Sequence, residues 1–502
     1  MEHLPTTLDA TLRRKALSTP QQTVLIDALD PASPIEYSWK ETNTRVDTLA
    51  RQFAALPGRG IGVMLDNSYY CICLIYGVIR SGKDLILIDP EWGITARQAI
   101  IDEMGLQTLV SAVPLQDASA ALQFVPDFSA RSVEPFDAEA ANASRMIIFT
   151  SGTTGKPKGI ILSQQAMVNA YAIGQRCLNI GEHTRAGCFY RVSGLGIRGI
   201  NVLFPLLYGG SVVLLPQHCW YDSSQFWSCV EQFSISFLYM VPPIVNFMVK
   251  EGVPPATPYT LSRLLCVAGS ARLDAGLQEE FQRDYAPLAN IYGLSECGFA
   301  FLFGRLNGGR FDNTVGPAVG LSLRLTDEQG QVIERPGTRG RLWVKTPSLF
   351  SGYVNQPALT AQVVQDGWLD TQDIAYFDEQ GGFYVLGRAD GTVNKGGNLF
   401  HLNECEQLLN TRDDVVDVCC LKVPCEVYGE DYVAVIQGDP AQTRDLLPWL
   451  QQHLGTYRAP RSVFCLSEKL PLNGAGKHDR RAIAELITSG ASSCAEIGRA
   501  HV

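Results

Sequence analysis

The chain has 502 residues, of which 46% are hydrophobic and 18% are charged, and its formal net charge at pH 7 is −10. This length is too great for one ordinary hydrophobic core and predicts two or more domains, while the composition excludes a disordered or fibrous protein. The negative net charge argues against broad electrostatic binding to nucleic acid or to an anionic membrane surface.

The sequence also carries little sign of secretion or membrane insertion. Its N-terminus lacks the apolar core of a signal peptide, and its most apolar windows are too short or too interrupted to span a bilayer. The 14 cysteines include no CxxC pair and no zinc-type cysteine–histidine spacing, so we expect reduced, mostly buried thiols. These features predict a cytoplasmic protein without a membrane span.

Short apolar runs alternate with helical stretches as far as about residue 385. Buried strands are predicted at 61–65, 84–89, 145–150, 211–216, 237–241 and 263–269. Helix-like segments such as SYYCICLIYGVIRSG and AGLQEEFQRDYA lie between them. This alternation predicts α/β architecture with largely parallel sheets. From Gly340 the pattern becomes β-rich, with RLWVK and GFYVLGR as predicted strands.

The residues after about 388 form a separate pattern of strands and helices, which predicts a small α+β domain. We therefore expect a large N-terminal domain at 1–387, built from helix-layered mixed sheets with a β-rich subdomain, and a C-terminal domain at 391–488. A tail follows at 489–502. Its end, EIGRAHV (496–502), can be back-translated to a common sequencing-adapter sequence, so we interpret it as an artefact rather than as a frayed natural tail.

The stretch TSGTTGKPKG (150–159) follows directly from a predicted strand. Its glycines let successive backbone N–H groups converge on an anion, its serine and threonines add hydroxyl donors, and Lys156 and Lys158 add positive charge. Pro157 departs from the Walker A pattern and disfavours a helix start at that point. The stretch predicts polyphosphate binding, and the alternative interpretation is a surface turn.

TSGTTGKPKG resembles the phosphate-loop signature of the adenylate-forming superfamily, which includes acyl- and aryl-CoA synthetases, adenylation domains of nonribosomal peptide synthetases and luciferases. Four more motifs are similar to family signatures and follow in the family's order: YGLSE (292–296), GWLDTQD (367–373), GRADGTVNKGG (387–397) and LPLNGAGKHDRR (470–481). The resemblance implies a two-step ligase. A carboxylate attacks the α-phosphate of ATP to give acyl-AMP and pyrophosphate, and a thiol then displaces AMP.

The resemblance also implies roles for individual residues. Glu296 would hold Mg²⁺, which prefers carboxylate oxygen, and Ser295 would contact the α-phosphate. Lys477 would be the mobile cation that reaches both the substrate carboxylate and the α-phosphate. The β- and γ-phosphates would be held by Thr150, Ser151, Gly152, Thr153, Thr154, Gly155 and Lys158. The cofactors implied are ATP and Mg²⁺, with CoA or a phosphopantetheine as the acyl acceptor.

The nucleoside would be bound by a second group of residues. Asp373 can accept hydrogen bonds from both ribose hydroxyls, and Arg388 would support the same sugar. Tyr292 would stack on adenine, and the edge of the ring would be lined by Gly269, Ser270 and Ala271. The alternative for Asp373 and Arg388 is a surface ion pair.

The small domain is implied to be mobile about a hinge at 388–390. Asp390 matches the hinge position, and rotation there would withdraw Lys477 and bring a second loop to the thiol. That thiol tunnel would be lined by Lys395, Gly396 and Gly397. The acyl pocket is expected to contain Arg191, Val192, Ser193, Gly194, Met240, Val241, Ala268, Gly293 and Phe299.

Several residues depart from the family pattern. Gln372 replaces a glycine, Arg341 replaces a glutamate and Gln164 stands at a common histidine position. Arg191 also replaces a histidine, and it would meet either a second polar or anionic group of the substrate or a partner within the protein. The segment FYRVSGLG (189–196) lacks the aspartate that pairs with an α-ammonium group, which favours an acid without an α-amino group.

Three functions remain open from the sequence. The first is an acid–thiol ligase that uses a small carboxylic acid and CoA. The second loads an acyl or peptidyl carrier protein, or forms an amide. The third is a scaffold protein that binds ATP without efficient catalysis.

Overall fold

A computed structural model describes the chain in fourteen segments: 5–89, 94–112, 123–129, 134–137, 139–151, 157–189, 198–253, 263–270, 273–395, 398–425, 429–456, 458–473, 477–489 and 494–499. The chain divides into two compact units. The larger unit consists of Met1–Arg324, Trp343–Thr371 and Phe377–Tyr384, and the smaller unit of Leu325–Leu342, Gln372–Tyr376 and Val385–Val502. The domain boundaries and the hinge that we expect from the sequence stay predictions.

An eight-stranded sheet forms one half of the larger unit. Its strands, in spatial order, are Phe299–Phe303, Leu288–Leu294, Leu265–Ala268, Phe237–Met240, Arg185–Cys188, Ser211–Leu214, Thr23–Asp27 and Ile35–Ser38. All neighbouring pairs are parallel except the outermost pair at each edge, which is antiparallel. The predicted parallel strands at 211–216, 237–241 and 263–269 are thus confirmed.

A seven-stranded sheet is the second large sheet of this unit. Its strands, in spatial order, are Gly352–Tyr353, Pro157–Ser163, Arg145–Ser151, Asp84–Ile88, Gly60–Met64, Leu109–Val110 and Gln123–Phe124. Arg145–Ser151 pairs in parallel with Asp84–Ile88 and antiparallel with Pro157–Ser163. The two strands that enter and leave the phosphate motif therefore pair as a hairpin, and a strand rather than a helix begins at Pro157, in line with the expectation that this proline disfavours a helix start.

Helices cover these sheets and begin at identifiable caps. Ser68 Oγ accepts a hydrogen bond from the Cys71 N–H at 3.0 Å, and Ser163 Oγ accepts one from the Ala166 N–H at 3.1 Å, so each serine satisfies a free backbone donor. The helices are Ala10–Ser18, Trp39–Ala54, Tyr69–Arg80, Ile94–Met104, Gln164–Leu178, Phe204–Leu207, Ser223–Gln232, Pro242–Glu251, Ala275–Asp284 and Pro357–Val363. A π-helical turn covers Arg198–Leu203, and 3₁₀ turns cover Ala140–Ala143, Gln217–Tyr221 and Ser295–Cys297.

The region between 306 and 388 is rich in β-structure, as predicted from Gly340 onward. Leu306–Asn307 and Arg310–Phe311 form a small antiparallel pair. The other strands of the region are Ser322–Thr326, Gly340–Lys345, Val364–Gln365, Trp368–Phe377 and Phe383–Arg388.

The smaller unit contains a six-stranded sheet with helices, which confirms the predicted α+β fold. The strands are Thr392–Lys395, Asn398–His401, Val415–Cys425, Gly429–Gly438, Ser462–Leu466 and Cys494–Arg499. The helices are Leu402–Asn410, Leu446–Leu454 and Arg480–Ser489, and Ala389–Gly391 forms a 3₁₀ turn. The predicted tail is not wholly irregular, because Cys494–Arg499 pairs antiparallel with Ser462–Leu466. The interpretation of 496–502 as foreign stays a prediction.

Two further expectations concern thiols and membranes. All cysteines are free, and all except Cys177 and Cys494 are buried, as expected. Within the described segments, no helix has both the length and the apolar character needed to cross a membrane.

Candidate active site

The phosphate motif joins two paired strands of the seven-stranded sheet. Thr150 lies directly opposite Lys158 in the register, and Ser151 lies opposite Pro157. The Thr150 hydroxyl donates a long hydrogen bond of 3.5 Å to the backbone oxygen of Lys158. The pairing brings these predicted phosphate ligands together where the two strands meet the phosphate loop. The predicted ligands Gly152, Thr153, Thr154 and Gly155 lie outside the described residues, as does the side chain of Ser151.

Tyr353 connects the predicted phosphate lysine with the predicted metal ligand. The Lys158 ammonium nitrogen lies 4.0 Å from the centroid of the Tyr353 ring, a distance at which a cation is attracted to the aromatic face. The Tyr353 hydroxyl donates a hydrogen bond of 2.7 Å to Oε1 of Glu296. Tyr353 was not predicted as a site residue, because none of the predicted motifs contains it. The Gly-Tyr pair in SGYVNQPALT was the one local feature that could have indicated this tyrosine.

Strand ends of the eight-stranded sheet supply predicted pocket and adenine residues. Met240 and Ala268 are paired residues at the carboxyl ends of neighbouring parallel strands, and both are fully buried. Gly269 follows, and its N–H donates to the Met240 oxygen at 3.3 Å. Ser270 has a φ of 69° and shares a 2.6 Å hydrogen bond with the Tyr239 hydroxyl. Open sheets with parallel strands usually bind ligands at such carboxyl ends.

The YGLSE motif lies at an irregularity between two antiparallel strands. The register shifts between Tyr292 and Gly293, and Gly293 is exposed there. A Cβ at Gly293 would lie 2.4 Å from the Ala300 Cα, so only glycine fits without moving the backbone. Ser295 then opens the 3₁₀ turn that presents Glu296, and both side chains are half-buried.

The remaining pocket residues are only partly described. Phe299 is buried, and its ring lies 4.9 Å from that of Tyr171. Val241 is half-buried at the start of a helix. The predicted residues Arg191, Val192, Ser193, Gly194 and Ala271 lie outside the described part of the chain.

In the smaller unit, the predicted ribose residues lie beside the departure at Gln372. Asp373 is buried on the strand Trp368–Phe377, whereas Arg388 is exposed at the end of Phe383–Arg388. Gln372 has a φ of 60°, which explains why a glycine suits this position in the family motif. Its Oε1 accepts a hydrogen bond of 3.1 Å from Nη2 of Arg388. Gln372 therefore adopts a conformation that favours glycine, and its side chain contacts the predicted ribose ligand.

His401, which was not predicted as a site residue, holds the backbone at the end of the strand Phe383–Arg388. Its Nδ1 accepts a hydrogen bond of 3.2 Å from the Asn403 N–H, so Nε2 carries the proton and donates to the Arg388 oxygen at 2.8 Å. His401 also begins the helix Leu402–Asn410 in a capping box with Glu404. Arg388, the first residue of the predicted hinge, is thereby tied to the helix Leu402–Asn410.

The loop that carries Lys477 is anchored on both sides. Lys477 is exposed, and its backbone exchanges hydrogen bonds with Asn473 at 2.7 and 3.1 Å. His478 makes an ion pair of 2.9 Å with Asp417 through Nε2. Asp479 Oδ1 accepts from the Ala482 N–H at 3.0 Å and caps the next helix. Consecutive residues thus hold the backbone while the Lys477 side chain extends into solvent.

The predicted hinge and thiol-tunnel residues of the smaller unit are only partly described by the structure. Asp390 lies in the 3₁₀ turn Ala389–Gly391, and Lys395 ends the strand Thr392–Lys395, but their side chains lie outside the described atoms, as do Gly396 and Gly397. Of the other departures, Gln164 is buried and its Oε1 accepts a hydrogen bond from the Leu8 N–H at 3.2 Å. Gln164 therefore has a structural contact.

Comparison with known families identifies the chain. Residues 12–354 match the family described as AMP-binding enzyme, and residues 404–477 match the AMP-binding enzyme C-terminal domain. The chain belongs to the AMP-binding enzyme family. The resemblance to the adenylate-forming superfamily and the expected enzyme class, an AMP-forming ligase of the acyl-CoA synthetase type, are confirmed.

Curated relatives of this AMP-binding enzyme are CoA ligases. A probable CoA ligase of Humulus lupulus is 28% identical, over 88% of this chain and 84% of its own length. The oxalate–CoA ligase of Arabidopsis thaliana is 27% identical, over 86% and 84%. Among solved structures, ATP-bound MatB from Rhodopseudomonas palustris has a TM-score of 0.83 at 23% identity, over 96% of this chain and 98% of that one. This last likeness confirms the fold.

We predict that the His478–Asp417 ion pair makes stability depend on pH. The hydrogen bond to Asp417 and that to Cys419 raise the pKa of His478 from 6.5 to about 10. Because the folded-state pKa is raised, the stabilisation is fully present below about pH 6.5 and is lost as the pH rises through about 10. Chemical unfolding of wild type and His478→Gln should therefore give free energies of unfolding that converge over this range.

The control for this experiment is Asp417→Asn, which removes the other partner and should reduce the pH dependence in the same way. Glu406 also acts electrostatically on His478, and Arg480 lies 3.4 Å from Glu406, so both residues are kept in every variant. Parallel stability curves for wild type and His478→Gln would contradict the assignment.

We predict that glycine at position 372 gives a more stable protein than alanine, because the backbone there has a positive φ. Gln372→Ala removes the hydrogen bond to Arg388 but keeps a side chain at a positive φ, whereas Gln372→Gly relieves that conformation. Gln372→Gly should therefore be more stable than Gln372→Ala by about 1 kcal/mol. Urea unfolding of the two variants measures this difference, and an alanine variant at least as stable as the glycine variant would refute it.

Proposed function

We propose that this enzyme activates a carboxylic acid without an α-amino group as an acyl-adenylate, releases pyrophosphate, and transfers the acyl group to CoA. The observation that carries the proposal is the side-by-side arrangement of Lys158, Tyr353 and Glu296 next to the phosphate hairpin. It supplies positive charge for phosphates and a carboxylate for a metal ion within one unit, as phosphoryl chemistry on ATP requires.

Magnesium is the metal that we propose for this site. Within the described residues, no group of three or more His, Cys, Asp or Glu side chains is arranged to hold a metal. Mg²⁺ commonly binds through one or two carboxylates, with substrate phosphates and water completing its shell. Glu296 fits this role, because its carboxylate is half-buried and oriented by Tyr353. When bound, the ion neutralises negative charge on the phosphates.

The chain's own residues supply the remaining functions in this proposal. Thr150 and Lys158 bind the phosphates, and Ser295 donates to the α-phosphate. Asp373 accepts the ribose hydroxyls, and Arg388, steadied by Gln372, supports the sugar. Lys477 approaches the α-phosphate and the incoming carboxylate, because two anions repel each other unless a cation lies between them.

The substrate class is supported by relatives with non-amino acids in their names. Besides oxalate–CoA ligase, these include a sulfoacetate–CoA ligase of Cupriavidus necator, 27% identical, and an indoleacetate–CoA ligase of Aromatoleum aromaticum, 30% identical. The absence of aspartate from FYRVSGLG agrees with them. Arg191 is the residue that we propose for contact with a polar or anionic group on the distal part of the acid.

Carboxylate-dependent formation of acyl-adenylate tests the proposal. Purified enzyme is incubated with ATP, Mg²⁺ and panels of fatty, aryl, dicarboxylic and amino acids, and pyrophosphate and hydroxamate are measured with hydroxylamine as the trap. We expect a signal from one or more non-amino acids and thioester formation when CoA replaces hydroxylamine. A signal from α-amino acids alone would contradict the substrate class. Transfer to holo carrier protein but not to CoA would contradict the acceptor, and ATP binding without pyrophosphate release would favour a scaffold.

We predict that Lys477→Ala and Asp390→Pro separate the two half-reactions. Removing the Lys477 charge should slow adenylation by about 10²–10³, because one contact to a developing charge is worth roughly that much, while added acyl-AMP is still converted to thioester. Proline at 390 fixes φ near −65° and should slow thioester formation more than adenylation. Rapid-quench measurement of each half-reaction tests this, and equal losses in both halves for both variants would refute it.

We predict that Arg191→Ala changes acid preference more than ATP affinity. Removing the guanidinium should lower kcat/KM for acids with a second anionic group and leave the Kd of ATP near the wild-type value. The readout is the ratio of kcat/KM between a dicarboxylic acid and a monocarboxylic acid of matched length. A uniform loss for all acids together with weaker ATP binding would indicate a structural arginine instead.

A further inference from the structure

Tyr353 occupies a rigidly defined position between two elements of the candidate site. Its backbone pairs with Ile160 of the phosphate strand, and its N–H donates to Thr360 Oγ1 at 2.9 Å. The ring of Phe350 packs against it edge-on at 4.8 Å, and the side chain is only 6% exposed. A side chain fixed at both its backbone and its ring can in turn fix the groups that it contacts.

Two charged side chains contact different parts of Tyr353. The ammonium group of Lys158 lies over the ring face, and the carboxylate of Glu296 receives the hydroxyl proton. The Glu296 backbone is held separately, since its oxygen accepts a hydrogen bond of 2.7 Å from the Phe350 N–H. The phenol therefore controls the orientation of the carboxylate rather than the path of the chain.

This arrangement matters because Lys158 and Glu296 carry opposite charges. If they formed a direct ion pair, each would neutralise the other, and both would have to be pulled apart before binding phosphate or metal. A neutral phenol satisfies one carboxylate oxygen through its hydroxyl and attracts the ammonium through its ring. Hydrogen-bond donors behind a ligating carboxylate typically affect metal affinity by about 10- to 100-fold.

We propose that Tyr353 is a positioning residue for the divalent-cation site: its hydroxyl aims the Glu296 carboxylate at the metal, and its ring face positions the Lys158 ammonium beside the phosphate hairpin. The inference rests on the proposed function, because it assumes that Glu296 binds the metal of a metal–ATP complex. It adds a residue outside the predicted motifs and assigns separate tasks to the hydroxyl and to the ring.

The test compares ATP affinity with and without metal. Isothermal titration calorimetry gives the Kd of ATP in excess Mg²⁺ and in EDTA. The Kd in EDTA divided by the Kd in Mg²⁺ is the Mg²⁺ enhancement, which reports how strongly metal and nucleotide binding are coupled. In Tyr353→Phe the hydroxyl is lost and the ring remains, so the Mg²⁺ enhancement should fall about 10-fold while the Kd in EDTA stays unchanged. In Tyr353→Leu the ring is lost as well, so ATP should also bind more weakly in EDTA.

A matched control removes a buried tyrosine hydroxyl of the same unit away from the site. The Tyr285 hydroxyl donates to the Met248 oxygen at 2.8 Å, and Tyr285→Phe should keep the wild-type Mg²⁺ enhancement even if its melting temperature falls. An enhancement in Tyr353→Phe equal to that of wild type would overturn the inference. A larger enhancement would also overturn it, because the hydroxyl would then compete with the metal. A wild-type enzyme that binds ATP equally well with and without Mg²⁺ would instead refute the proposed metal site and this inference together.

Discussion

The hydrogen bond from Tyr353 to Glu296 joins the two sheets of the larger unit at the candidate site. Glu296 follows a strand of the eight-stranded sheet, whereas Tyr353 belongs to the seven-stranded sheet beside the phosphate hairpin. The fold therefore brings a carboxylate from one sheet to the hydroxyl of Tyr353 and an ammonium group from the other sheet to its ring face. Each sheet supplies one charge, and neither could form the site alone.

A second constraint concerns where the charge of Lys477 is placed in the smaller unit. Lys477 would act on two anions that repel each other, so its charge must be delivered on a defined backbone with a free side chain. His478 and Asp479 meet this need, because one forms an ion pair and the other caps a helix directly after the lysine. The sequence KHDR thus combines an exposed cation with two consecutive anchors.

The sequence predicted the fold well because apolar runs and strand ends are local signals. The strands at Gly60–Met64, Asp84–Ile88 and Arg145–Ser151 follow from such signals, whereas the antiparallel pairing of Arg145–Ser151 with Pro157–Ser163 was not predicted. The contacts of Tyr353, His401 and His478 could not be predicted, because their partners lie 57, 13 and 61 residues away in the chain. Gln372 was recognised as a departure, but only the structure gives its positive φ.

In the mechanism that we propose, a carboxylate attacks the α-phosphate of ATP at this site. The most direct measurement follows ¹⁸O from a doubly labelled carboxylic acid, chosen as one that supports pyrophosphate release, through a complete turnover with ATP and CoA. We expect AMP that carries one ¹⁸O atom, because a carboxylate oxygen remains on phosphorus when the thiol displaces AMP. Unlabelled AMP, or ADP with labelled inorganic phosphate, would contradict attack on the α-phosphate by the carboxylate.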